Sequence, residues 1–148
     1  MRILRRLAIV FIVVLLALQV VPYGRGHTNP PGRVEARGDS PATRALPVRA
    51  CYDCHSNETI WPWYSHVAPV SWLAQRDVDE GRRTLNFSEW DRPQKEARES
   101  AKTVRKGEMP PWFYVAIHPD ARLTAAETQA LIGGLEATLG TKGGKRDD

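Results

Sequence analysis

The sequence predicts an all-α protein: one small helical domain behind an N-terminal apolar helix. Three observations carry that expectation. No segment alternates apolar and polar residues over the length of a strand. Apolar residues recur instead at steps of three and four in three separate stretches, the pattern of amphipathic helices. The chain also opens on three arginines followed by a run, Leu7 to Val21, that is apolar except for Gln19. Its 148 residues leave room for one domain of roughly 100 residues.

The first element is the opening "MRILRRLAIVFIVVLLALQVVPYGRG", in which Arg2, Arg5 and Arg6 precede the apolar run. A charged region followed by an apolar one is an export pattern. The run spans about 22 Å as a helix, against a hydrocarbon core of about 30 Å. Ile3 and Leu4, with Arg5 and Arg6 snorkelling to the headgroups, bring it near spanning length. No small-x-small cleavage site follows, so residues 1–22 are expected as an uncleaved signal anchor. The arginines hold the N-terminus in the cytoplasm. The rest of the chain is then exported, to the periplasmic side of the inner membrane. Residues 23–39, rich in Pro, Gly and charge, read as a tether. The folded domain is expected over 40–140 and a disordered tail over 141–148.

Within the domain, Ser40-Pro41 and Pro47 are helix-start signals, since proline is tolerated in a first turn. They lead into a short helix carrying "ACYDCHSN", residues 50 to 57. The chain has two cysteines, and both, Cys51 and Cys54, lie here with His55 directly after them. A structural zinc site wants four ligands, and His27, His66 and His118 offer no compact second pair. A redox dithiol wants a C-x-x-C on a helix after a strand, and "GDSPATRALPVRA" does not read as a strand. C-x-x-C-H is the attachment signature of c-type haem, and that chemistry uses all three residues. Two thiols add across the haem vinyl groups, and the imidazole takes the proximal position on the iron.

The next stretch, "WPWYSHVAPVSW", holds Trp61, Trp63, Tyr64 and Trp72. A group this dense is most often core, but directly after a haem clamp part of it is expected to line the crevice. Val67, Val70, Ala74, Val78, Gly81 and Leu85 form one face of a helix. Asp91 and Pro93 open another, striped by Ala97, Ala101 and Val104 and closed at Gly107 with Lys106 in its last turn. The last helix begins at a capping box of Thr124 and Glu127. Leu131, Ile132, Leu135 and Leu139 form its buried edge, and Gly140 stops it.

The second axial ligand of the iron decides what such a protein does. Met109 sits in "KGEMPPWF", where Pro110 and Pro111 stiffen the loop and lower the cost of holding a thioether at the metal. An isolated methionine is more often a filler of core gaps; in a proline-braced loop of a haem protein the ligand reading is preferred. His66 and His118 are the alternative distal ligands, His27 a weaker one, and an iron left open is the remaining case.

At this point the sequence resembles a known family. "PYGRGHTNPP", "CYDCHSNETIWPWYS", "APVSW", "LNFSEW" and "GEMPPWF" followed by "HPDARLT" are similar to the bacterial haem-binding domain proteins, small membrane-anchored single-haem relatives of cytochrome c. The resemblance runs from about Pro22 to Leu139. It implies a cytochrome c-like all-α fold facing the periplasm, with one covalent haem c held by Cys51 and Cys54. It also implies His55 as the proximal ligand, and Met109 matches the Met-Pro element that supplies the distal one. The family is named for haem binding, not for a reaction.

Charge excludes one class of partner. The chain has formal net charge +4, but without Arg2, Arg5 and Arg6 the 21 basic side chains fall to 18 against 17 acidic ones. No basic face for nucleic acid is evident. The basic groups "GRR" and "RKG" belong either to solvated helix faces or to pairing with haem propionates. No acid/base pair, phosphate loop or nucleophile triad is present. The expected function is one-electron transfer to an unidentified redox partner. The alternative is an open-iron haem enzyme or gas sensor with His66 or His118 as its distal group; a dithiol oxidoreductase without haem is a third reading.

Overall fold

The fold is seen in a computed structural model that describes residues 1–36 and 41–139, with the side chains of all but Ala42, Thr43 and Leu139. The helix start at Ser40, the stop at Gly140, the burial of Leu139 and the tail 141–148 lie outside the described residues. Among the described residues there are seven α-helices and no strand, only an isolated parallel bridge between Val34 and Glu89. The all-α expectation holds.

The helices are α1 (Arg2–Leu18), α2 (Pro41–Ala50), α3 (Tyr52–His55), α4 (Val70–Thr84), α5 (Ser100–Arg105), α6 (Trp112–Ile117) and α7 (Ala125–Leu139). Helix α7 is the spine, with α2 and α5 packed on it, while α3 lies between α2 and α4. Leu131, Ile132 and Leu135 of α7 meet Val104, Ala101 and Ala97 together with Tyr52, Leu85 and Phe87. Leu131 is wholly buried, a transfer worth roughly 2 kcal/mol.

The capping box forms as expected. The Thr124 amide donates to Glu127 Oε2 at 2.7 Å and the Glu127 amide to Thr124 Oγ1 at 3.2 Å. Helix α5 ends in a Schellman motif, its Glu108 amide bonded to the Thr103 carbonyl and its Gly107 amide to that of Val104. Gly107 has φ +72°, a conformation that costs glycine nothing.

Other expectations shift. Helix α2 runs through Pro47 instead of starting there. The second amphipathic stretch does not begin at Asp91; a 3₁₀ turn at Ala97–Glu99 leads into α5. Its stripe of Ala97, Ala101 and Val104 is nonetheless buried. Helix α6 stands where the sequence suggested only a loop. Val78 and Gly81 of α4, with Leu85 just after it, are buried, but Val67, ahead of the helix, and Val70 at its start are exposed.

The N-terminal helix closes earlier than the span over 1–22 anticipated. Helix α1 has 17 residues, about 26 Å, and among the described residues no helix is long and apolar enough to cross a membrane. One turn of i to i−3 bonds carries the chain on to Val21, and Pro22 cannot extend it. Beyond it, the segment read as a tether lies along the domain as a strap. Asn29 Nδ2 donates to the Thr59 carbonyl, the Arg33 and Ala36 amides to the carbonyls of Ser88 and Phe87, and the Trp90 amide to that of Val34. Arg82 fastens it further, bonding the Thr28 carbonyl and Asn29 Oδ1, each at 2.8 Å.

Candidate functional site

Cys51 stands at the junction of α2 and α3, and the amides of Cys54 and His55 both donate to its carbonyl, at 3.1 and 2.8 Å. This single turn brings Cys51, Cys54 and His55 onto the wall of one cavity of about 480 Å³. That is within the roughly 300–1,000 Å³ of small-molecule and cofactor sites. Ala50, Leu85, Phe87, Val104, Leu135 and Phe113 give the cavity its apolar lining, and Met109, Pro110 and Pro111 border the same space. The loop carrying Met109 is short and held at both ends, by the Schellman motif of α5 and by the start of α6 at Pro111.

The imidazole of His55 is oriented from α4. Its Nδ1 lies 3.1 Å from the Gly81 carbonyl and 3.0 Å from that of Leu85. Carbonyls only accept, so Nδ1 carries the proton and Nε2 keeps a free lone pair. Burial pushes the imidazolium below its usual range, so the ring is neutral at pH 7. A neutral imidazole with one nitrogen tied to a carbonyl is the form in which histidine ligates metals.

Gly81 is what lets α4 come this close. A Cβ there would lie 2.3 Å from the Cys54 carbonyl oxygen. Behind the turn, a buried polar network holds the following residues. The Asn57 amide donates to Ser88 Oγ at 3.0 Å, Asn86 Nδ2 to Asn57 Oδ1 at 2.8 Å, and the Phe87 amide to the His55 carbonyl at 2.8 Å.

Both thiols are half-buried on the wall. Burial pushes each up to about 12, with Cys54 adding to the effect on Cys51, and Asp77 and Asp53 adding to that on Cys54. A redox dithiol needs a lowered thiol pKa, so the surroundings run against that reading. Among the described residues no three His, Cys, Asp or Glu side chains are grouped to hold a metal ion by themselves, so a four-ligand zinc site has no ligand set there.

The other candidate ligands lie elsewhere. His66 meets the His27 ring edge-on at 4.3 Å, and His27 stacks on Trp61 at 4.4 Å. His118 Nδ1 donates to the Tyr114 carbonyl, so its Nε2 accepts the Tyr64 hydroxyl at 2.7 Å. Neither His66 nor His118 borders the large cavity. Of the alternatives for the distal position, Met109 alone shares the space with His55.

A family model described as a haem-binding domain matches residues 13–137. The chain belongs to the haem-binding domain family. No curated protein and no solved structure matches it. For a haem-binding domain the cavity fits its group: it is largely apolar, of cofactor size, and has two thiols and an imidazole with a free Nε2 along one wall. Part of the Trp61, Trp63, Tyr64 and Trp72 group was expected to line the crevice. The aromatic lining instead comes from Phe87, Phe113 and Tyr114, while Trp63 is 78% exposed.

Nor do the basic groups reach the cavity. Arg82 is committed to the strap, Arg83 pairs with Glu80, Arg105 with Glu136 and Lys106 with Glu108. The ionisable lining is acidic, from Asp53, Asp77, Glu80 and Glu96. Sequence reading missed the parts that hold the clamp: the Gly81 and Leu85 carbonyls, the Asn57–Asn86–Ser88 network, and Asp53, which accepts the Tyr114 hydroxyl at 2.6 Å. Gly81 carried a signal, since glycine inside a helix is costly and implies a close packing partner.

Proposed function

We propose that this haem-binding domain is a c-type electron carrier with a cytochrome c-like arrangement. Cys51 and Cys54 hold one haem by thioethers, His55 is its proximal ligand and Met109 its distal one. The observation that carries this reading is the meeting of these four side chains around one apolar cavity, with His55 already in its ligating tautomer. The group supplies reversible one-electron chemistry. His55 and Met109 would supply both protein ligands of the iron, Phe87, Phe113, Leu85 and Val104 would keep water from the group, and the Met109 thioether would favour the reduced state. A site so closed would suit outer-sphere transfer to a redox partner protein and leave no place for a substrate.

The same reading puts the domain outside the cytoplasm, because haem c is attached there in bacteria that export their cytochromes. Helix α1 supports it. Its large apolar side chains, Ile9, Val10, Phe11 and Ile12 among them, are exposed and none is buried against the protein. A helix apolar on every side belongs in lipid. Arg2, Arg5 and Arg6 set its cytoplasmic end, and their snorkelling with local thinning of the bilayer accommodates its short length.

The test is the optical spectrum of the chain expressed with c-type maturation machinery. A reduced c-type spectrum with the weak far-red ferric band of Met–iron ligation is expected. Met109→Ala should lower the potential and admit small ligands such as carbon monoxide; an unchanged potential would remove Met109 from the iron. Cys51→Ala with Cys54→Ala should release haem to acid extraction, and haem retained through it would sink the covalent clamp.

A further inference from the structure

The apolar stripe of α4 continues past the place where the core ends. Val78 and Leu85 are buried, yet Val67 and Val70 are 45% and 44% exposed, and Trp63 on the preceding 3₁₀ turn is 78% exposed. These three side chains flank Ala68, which is itself 1% exposed. Ala68 is where the end of α1 is fastened. Gln19 Nε2 donates to the Ala68 carbonyl at 2.9 Å, and Gln19 Oε1 accepts the Ala68 amide at 3.0 Å. Nε2 also donates to the Leu15 carbonyl at 2.9 Å, so this carboxamide has its donor and its acceptor satisfied. Five residues on, Gly24 takes φ +77° directly against α4, where a Cβ would meet the Ser71 carbonyl oxygen at 2.5 Å.

Two contacts therefore fix the exit of α1 on the start of α4, and the uncovered apolar patch lies beside that junction. We propose that the face carrying Trp63, Val67 and Val70 is a membrane-contact face. It sits in the headgroup layer of the bilayer that holds α1, with Gln19 as the positioning residue that keeps the domain on it. The inference rests on the reading of α1 as a membrane-embedded helix. The occupant is a phospholipid interface because the patch lies beside the fastened exit of an apolar helix none of whose side chains is buried. Tryptophan with aliphatic neighbours is the composition found at that depth. A polar side chain inside an apolar run is costly in lipid unless it is bonded, and Gln19 is bonded to the domain.

The experiment places a nitroxide, carried on p-acetylphenylalanine so that Cys51 and Cys54 are left untouched, at position 67 of the full chain. A second sample carries it at the exposed Lys102 position of α5. Both are reconstituted into phosphatidylcholine–phosphatidylglycerol vesicles and floated on a gradient. Collision rates are then measured with oxygen, which concentrates in lipid, and with a nickel chelate, which stays in water. An oxygen-to-nickel ratio several-fold higher at 67 than at 102, unchanged by salt, is expected. Gln19→Ala should keep flotation but lower the ratio at 67 towards that at 102. A wet position 67 in protein that floats overturns the contact face and leaves the anchor standing; it would point to a protein partner for the patch. Protein that does not float overturns the anchor and the contact face together. A ratio unaffected by Gln19→Ala overturns the role of Gln19.

Discussion

Gly81 shows how one missing methyl group shapes the site. Glycine inside α4 costs about 1 kcal/mol against alanine by helix propensity alone, so an alanine there would ordinarily stabilise. Here its Cβ would stand 2.3 Å from the Cys54 carbonyl, and forcing a methyl into a closed contact costs about 1–3 kcal/mol. The clash outweighs the propensity. Gly81→Ala is therefore expected to lower the urea midpoint and to reduce the yield of covalent haem, because the Gly81 and Leu85 carbonyls that orient His55 move away with α4. A variant more stable than the parent would show that α4 does not press on the clamp. The cysteines and the histidine were legible in the sequence because their chemistry is carried by spacing. Backbone acceptors for the imidazole were not, since carbonyls have no residue identity to read.

Among the elements, α7 was the most legible, because capping box and apolar edge agree with each other. Thr124→Ala should cost about 1 kcal/mol, read from chemical unfolding. Glu127 adds a pH dependence. The Thr124 amide and then Arg49 hold its carboxyl at about 2, well below its ordinary 4.5. A carboxyl depressed in the folded state contributes fully above its ordinary pKa, and the contribution is lost as pH falls through the folded value. Melting temperature should thus fall between roughly pH 4.5 and 2, and Glu127→Gln should flatten that slope while keeping the cap. The strap was the least legible element. Its Pro and Gly content speaks for an irregular path but not for where that path lies. Arg82, which reads from sequence as one more solvated charge, is the residue that decides it. Arg82→Gln should expose the strap to trypsin at Arg25 and Arg33; unchanged digestion would relieve Arg82 of that role.

For the whole molecule, the central fact is a cavity in a domain with few large aliphatic side chains at its core. Leu131 is the largest side chain wholly out of water, and several of its neighbours in the core are alanines. The cavity is the counterpart of this thinness. Residues from α2, α3, α4, α5, α6 and α7 border it, so filling it ties six helices to one body. Anything bound by the folded state alone stabilises that state. The Cys51→Ala, Cys54→Ala variant, stripped of haem by acid extraction and refolded, should melt well below the loaded protein and lose near-ultraviolet dichroism before helicity. Equal melting temperatures would mean that the helices pack without the group. The acidic lining could not be foreseen, because Asp53, Asp77, Glu80 and Glu96 are scattered in sequence and meet only through the packing of α3, α4 and the segment before α5.

The strap also sets an order of events. Its partners on the domain come later in the chain: Thr59 for Asn29, Ser65 for His27, Arg82 for Thr28 and Ser88 for Arg33. The acceptors of His55, at Gly81 and Leu85, come later too. A chain that emerges from its N-terminus therefore presents Cys51, Cys54 and His55 while nothing that will close around them yet exists. On the proposed reading, that interval would leave both thiols in water, away from the burial that later covers them. Slow closure of distant contacts would then serve as an open window for covalent attachment, one that ends when Ser88 arrives and the first thirty-odd residues can lie down.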